Sequence, residues 1–160
     1  MRSEQEVNIA IDQYSDMIRR LCMIYLKNYA DTEDIFQTVF LKYALNDQKF
    51  ASPAHEKAWL IRVTINACKD LLKSFFRRRT VTLDEVIEQA AIRQNEHREV
   101  LEAVYALPQK YRDVVYLHYV EGYSAPEISE ILKKNVNTVY TLLTRSKQIL
   151  KEKLGDDGNE

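Results

Sequence analysis

The stretch Val120-Glu-Gly-Tyr-Ser-Ala-Pro-Glu-Ile-Ser-Glu-Ile-Leu-Lys-Lys-Asn-Val-Asn-Thr-Val-Tyr-Thr-Leu-Leu-Thr-Arg-Ser-Lys147 reads as two short helices joined by a tight turn, the second closing on basic residues. Gly122 can stop a preceding helix in the left-handed conformation. Ser124 then caps a new helix with Glu127 at its third position, the pattern of a capping box. Pro126 falls in the first turn, where its missing N–H costs nothing. Ile128, Ile131 and Leu132 form the buried stripe of that helix. Asn135 can cap the next helix, whose stripe is Val136, Val139, Leu142 and Leu143. Between those apolar positions lie Asn137, Thr138, Tyr140, Thr141, Thr144, Arg145 and Lys147. A helix that buries one face and offers hydroxyls, amides and cations on the other suits the DNA major groove.

Outward from this helix-turn-helix, the rest of the chain also reads as helix. The 160 residues are enough for one medium domain or two small ones, and they contain only three glycines, the first being Gly122. The prolines are Pro53, Pro108 and Pro126. So few breakers imply long, nearly uninterrupted helices before residue 120. No alternating β-branched run bounded by turn signals occurs, so the fold class expected is all-α.

Charge is balanced overall, at −1, and patterned locally. Lys69, Lys73, Arg77, Arg78 and Arg79 against Asp70 give residues 69–79 a balance of +4. Residues 133–153 set six lysines or arginines against Glu152, or +5, and residues 80–103 set six acids against Arg93 and Arg98, or −4. Two basic segments separated by an acidic one suggest two DNA-contacting modules and a connector that does not bind. Cys22 and Cys68 are far apart in the chain and have neither metal nor redox spacing, so they read as two buried thiols in a reducing cytoplasm. No signal peptide and no apolar span of membrane length is present, which points to a cytoplasmic chain without membrane insertion.

The periodicity predicts a first helix over 4–28, with Val7, Ile11, Tyr14, Ile18, Leu21, Cys22, Tyr25 and Leu26 on one side. Asp31, with Asp34 at the third position, is the expected cap of a second helix running to about Leu45 and burying Ile35, Val39 and Phe40 or Leu41. Residues 46–53 form a loop, and a third helix runs from near Pro53 to about Phe76. Three helices of this length can close a small bundle. Further helices over 95–106 and 109–120 lead into the helix-turn-helix. The organisation expected is two small helical domains, 1–79 and 95–154, joined by an acidic linker over 80–94.

In this order the parts resemble bacterial RNA polymerase sigma factors of the small, extracytoplasmic-function type. Three segments carry the resemblance: Ala30-Asp-Thr-Glu-Asp-Ile-Phe-Gln-Thr-Val-Phe-Leu-Lys42, Ala58-Trp-Leu-Ile-Arg-Val-Thr-Ile-Asn-Ala-Cys-Lys-Asp-Leu-Leu-Lys73, and Leu107-Pro-Gln-Lys-Tyr-Arg-Asp-Val-Val through Lys147. They are similar to the family's core-polymerase, −10 and −35 segments. The resemblance implies that Asp34, Gln37, Thr38 and Leu41 grip a coiled coil of the polymerase clamp, although the family usually has an acid where Thr38 stands. It further implies contacts with the polymerase flap and with promoter DNA, and an anti-sigma protein as partner.

For the −10 element, Arg62, Asn66, Lys69 and Lys73 recur at helical steps and share a face that can track phosphates, with Asn66 placed to bond a base edge. The resemblance also implies that this helix and the preceding loop, with Lys49, Phe50 and His55, hold the melted −10 element, where an unpaired base leaves the stack and enters a pocket. Trp59 reads either as an aromatic that helps open the duplex or as a core residue. Arg77 and Arg78, with Arg79, would meet phosphate, or else lie solvated at the end of the helix.

The third segment departs from the family pattern. A small turn residue is usual where Lys133 stands, basic residues are common at Tyr140 and Leu142, and Asn137 replaces a common small residue. The −35 contacts expected are Asn137, Thr138, Tyr140 and Thr141 toward the groove, and Ser124, Arg145 and Lys147 toward phosphate, with Asn135 at the helix start also counted in the −35 site. Tyr140 and Thr141 could instead only cover the core.

Catalysis is not expected. His55, His97 and His118 are scattered without ligand companions, and no glycine-rich phosphate loop can precede Gly122, so neither metal nor cofactor is expected. Two other readings remain: a free-standing helix-turn-helix regulator that binds palindromic operators as a dimer, and a protein-interaction adaptor with an incidental basic face.

Overall fold

The computed structural model describes residues 1–78 and 98–158. The described residues form seven α-helices, one π-helical turn and no strand. The chain divides into two compact units, Met1–Arg93 and Gln94–Glu160. The expected linker over 80–94, with Arg79, lies outside the described residues.

The first unit contains α1 (Glu4–Leu26), α2 (Tyr29–Leu45) and α3 (Pro53–Arg78), and each helix packs against the other two. Ser3 caps α1 by accepting the Glu6 amide at 3.1 Å. The chain then reverses in two residues. Lys27 takes the left-handed conformation at φ 50°, and Asn28 caps α2 by accepting the Asp31 amide at 2.9 Å. The expected cap at Asp31 is therefore corrected: Asp31 is the third residue of α2, and an asparagine side chain reaching forward from the reversal does the capping. Ser52 caps α3, accepting the His55 amide at 3.1 Å, with Pro53 as its first residue.

Ile18, Leu21, Ile24, Val39, Leu60 and Ile61 are fully buried and make the centre of this unit. Each such side chain contributes roughly 1.5–3 kcal/mol of transfer free energy. Of the two candidates at the inner edge of α2, Phe40 is buried and Leu41 is 61% exposed. Cys22 on α1 and Cys68 on α3 are both fully buried, as expected. The fold nevertheless brings them together: a hydrogen bond between the two thiols, with burial, pushes Cys22 well above the usual thiol value. Remoteness in the sequence did not mean remoteness in space.

The second unit contains α4 (Arg98–Ala106), α5 (Gln109–Val115), a π turn (Tyr116–Val120), α6 (Ala125–Leu132) and α7 (Val136–Gly158). Leu101, Val104, Leu107, Val114, Tyr116, Leu117, Ile128 and Val139 fill its interior. The helix expected over 109–120 changes pitch at Tyr116. The Glu121 amide donates to the Tyr116 carbonyl at 3.2 Å and the Tyr123 amide to the Leu117 carbonyl at 2.9 Å, a closure wider than an α-helical end. Gly122, at φ 81°, makes that closure possible. Arg112 is buried, and its Nε donates to the Leu107 carbonyl at 2.7 Å, satisfying a group at the end of α4. Burial lowers the Arg112 pKa to about 10, so the guanidinium stays charged at neutral pH.

Candidate nucleic-acid and polymerase interfaces

On α2, Asp34, Gln37 and Leu41 lie along one exposed line, and Thr38 is half-buried beside them. The Thr38 hydroxyl donates to the Asp34 carbonyl at 3.0 Å, so it offers lone pairs and a methyl rather than a free hydrogen. Leu45, one turn past Leu41, is 60% exposed and extends the line. It was missed by the sequence reading, although the same helical step would have reached it. Two exposed leucines in register beside a carboxylate and an amide make a surface suited to a partner helix. Burial and the neighbouring Asp34 raise the Asp31 pKa at the start of this helix.

On α3, Arg62 and Lys69 are half-buried and Asn66 and Lys73 are exposed, giving the four-residue face the spacing predicts. Long cationic side chains lay their stems on the helix and hold the charge outward. Arg77 and Arg78 belong to the last turn of α3, and their side chains lie outside the described set.

The loop before α3 is held by aromatic contacts. Phe50 stacks parallel to Tyr43, with centroids 6.4 Å apart, and meets His55 edge-on at 5.3 Å. The Ala51 amide donates to His55 Nδ1 at 3.0 Å. Trp59 is half-buried and lies 5.7 Å from Phe50 and 6.2 Å from Tyr43, so it belongs to this cluster at the foot of α3 rather than to the centre of the bundle. Beside the cluster opens a recess of about 600 Å³, lined by residues that include Tyr43, Lys49, Phe50 and Glu56.

The helix-turn-helix is α6, a turn and α7. Both bonds of the capping box are present: the Glu127 amide donates to Ser124 Oγ at 3.3 Å, and the Ser124 amide donates to Glu127 Oε1 at 2.9 Å. The Ser124 amide first, and the Ser124 hydroxyl second, donate to the Glu127 carboxylate and hold it below its usual value. The Ser124 hydroxyl also donates to Glu127 at 3.0 Å, so it is committed to the cap. Lys133 occupies the left-handed region at φ 56°, where a small turn residue is usual in the resembling family, and the Lys134 amide closes on the Ser129 carbonyl at 3.1 Å. Asn135 caps α7, its Oδ1 accepting the Asn137 amide at 2.8 Å, which leaves its side-chain NH₂ as the free end.

Asn137, Thr138, Tyr140, Thr141, Arg145 and Lys147 are exposed on α7, while Val139 and Ser146 are fully buried. Tyr140, 52% exposed, and Thr141 therefore face outward and do not cover the core. The Thr141 hydroxyl donates to the Asn137 carbonyl at 3.0 Å, leaving it an acceptor toward any base edge. Among the described residues no helix is long and apolar enough to cross a membrane, and no group of three His, Cys, Asp or Glu side chains could hold a metal ion.

Two family models match the chain, one after the other. The family model for Sigma-70 region 2 matches residues 10–81, and that for Sigma-70 region 4 matches residues 97–150. The chain is 28% identical to the ECF RNA polymerase sigma factor SigW of Bacillus subtilis, over 91% of this chain and 87% of that protein. It is 29% identical to RNA polymerase sigma factor SigV of the same organism, over 84% of this chain and 82% of that one. In fold it is similar to the sigma factor RpoE of Bartonella quintana, solved in complex with the anti-sigma factor NepR, with a TM-score of 0.70, 16% identity, and coverage of 94% of this chain and 98% of that one. With region 2 in its first unit and region 4 in its second, the chain belongs to the sigma-70 family and is an ECF-type sigma factor.

Proposed function

We infer that this chain gives a bacterial core RNA polymerase its promoter choice and helps the polymerase open the duplex. The observation that carries this reading is the joint presence of regions 2 and 4 in one chain, in that order. The α2 line of Asp34, Gln37, Thr38 and Leu41, extended by Leu45, binds the polymerase clamp. The α3 face of Arg62, Asn66, Lys69 and Lys73, with the arginines at its end, holds the melted −10 strand, and Phe50 and Trp59 stack with its bases. The exposed face of α7 reads the −35 element as duplex: Asn137, Thr138, Tyr140 and Thr141 toward base edges, Arg145 and Lys147 toward phosphate. Ser124 and Asn135, whose side chains make capping bonds, shape the helix ends that present this face.

The chain itself performs no catalysis; RNA synthesis belongs to the polymerase. It works in the cytoplasm and is held inactive by an anti-sigma protein, as its fold relative from Bartonella quintana is seen bound to one. The near-zero net charge predicts weak duplex binding by the free protein and tight promoter binding only within holoenzyme. No feature favours the free-standing dimeric regulator. The test is reactivity of unpaired thymines to permanganate on promoter DNA. Core plus this protein should open a discrete bubble, and core alone should not. A bubble that does not depend on this protein would overturn the reading.

A further inference from the structure

Arg2 lies outside every segment used above, yet its side chain is only 12% exposed. Its guanidinium carbon sits 4.4 Å from the centre of the Tyr43 ring and 5.0 Å from that of Phe50, two rings that are parallel to within 6°. Its Nε donates to the Tyr43 carbonyl at 3.1 Å, and its Nη2 donates to the Gln48 carbonyl in the loop before α3. The Arg2 amide donates to the Ala44 carbonyl at 2.8 Å, and Glu6 lies 3.5 Å from the guanidinium one turn along α1. One planar cation thus ties the end of α2, the loop and the Phe50 ring together, and it also lines the recess beside them. A lysine could supply the charge but not the plane and the fork of donors.

The loop over 46–52 has no regular structure of its own. Left free, it would lose conformational freedom each time a base was bound. Arg2 fixes a carbonyl and a ring of that loop in advance. We propose that Arg2 is a positioning residue for −10 recognition, holding the Gln48–Ser52 loop and the Phe50 ring in the conformation that receives an unpaired base. The proposal rests on the reading of this loop as part of the −10 interface. It adds a determinant from the segment that precedes α1.

The test uses holoenzyme assembled from core polymerase and wild-type protein, Arg2→Ala, Arg2→Lys or Phe50→Ala. Each is offered single-stranded DNA randomised at every position, and base preference is read at each position from the captured strands. Thermal unfolding and core affinity are measured alongside. Arg2→Ala should lose roughly tenfold of its preference at the position where Phe50→Ala loses it, with other positions and core affinity unchanged. Arg2→Lys should recover only part of that loss. Unchanged preference in Arg2→Ala would overturn the proposal. A uniform loss at all positions with lowered thermal stability would also overturn it, by making Arg2 merely structural. Failure of the wild-type holoenzyme to select any strand would instead remove the underlying reading of the loop.

Discussion

The Tyr43 hydroxyl donates to a carboxylate oxygen of Glu56 across 2.7 Å, joining the last turn of α2 to the first turn of α3. Tyr14 of α1 donates to the other oxygen at 3.2 Å, so one carboxylate gathers all three helices beside the −10 loop. Burial first, and the bond to Glu56 second, push the Tyr43 hydroxyl up to about 12. Tyr43→Phe should cost about 1–2 kcal/mol of stability in denaturant unfolding. The sign of the pH effect follows from the raised value. Below about pH 10 the Tyr43 contribution is complete; between about 10 and 12 the unfolded chain ionises while the folded one keeps its proton, so stability falls as pH rises. Wild type should lose more stability than Tyr43→Phe over that window.

The two left-handed residues that flank α6 should respond oppositely to substitution. Gly122 stands at φ 81° with nothing within 4 Å of an added Cβ, so Gly122→Ala meets backbone strain alone and should cost about 1–2 kcal/mol. Lys133, at φ 56°, already bears such strain, and Lys133→Gly should stabilise the second unit by about 0.5–1 kcal/mol. Thermal unfolding of each variant measures both effects.

Leu41 and Leu45 are exposed and support nothing in the core. Leu41→Ser and Leu45→Ser should leave stability within about 0.5 kcal/mol of wild type. Affinity for core polymerase, measured by co-elution or fluorescence anisotropy, should fall by at least tenfold in the double variant, a desolvated-leucine effect of about 1.5 kcal/mol or more. Retention of full core affinity would remove α2 as the clamp-binding face.

On α7 the roles separate by their response to salt and sequence. Arg145→Ala and Lys147→Ala should each weaken holoenzyme binding to all promoters and reduce the salt slope by about 1. Asn137→Ala should alter the ranking of −35 sequences by about 1–3 kcal/mol while leaving the slope unchanged. A uniform loss from Asn137→Ala would contradict its part in base reading.

Local chemistry was the legible part of this fold. The Ser124–Glu127 box, the Gly122 stop, the Asn135 cap and the outward face of α7 follow from side chains that act within one helical turn. The cap at Asn28 was misread as Asp31 because both residues can cap, and only the Lys27 reversal decides between them. The π turn at Tyr116 has no compositional sign, since its residues suit an α-helix equally well. The Cys22–Cys68 pair, the Tyr14–Glu56–Tyr43 junction and the Arg2 clasp all join separate helices, so helical periodicity could not reach them. Of the candidate sites, the α2 and α3 faces were readable from spacing. Which atoms remain available was not, because Thr38, Ser124 and Thr141 give their hydroxyl hydrogens to bonds that only the folded backbone defines.

The most direct test is in vitro transcription with core polymerase and fragmented genomic DNA from the bacterium that encodes the chain, with and without the protein. The account predicts new transcripts that begin at discrete sites and share two upstream elements. A well-folded helical protein that yields no new starts, and instead protects a palindromic duplex without polymerase, would contradict it.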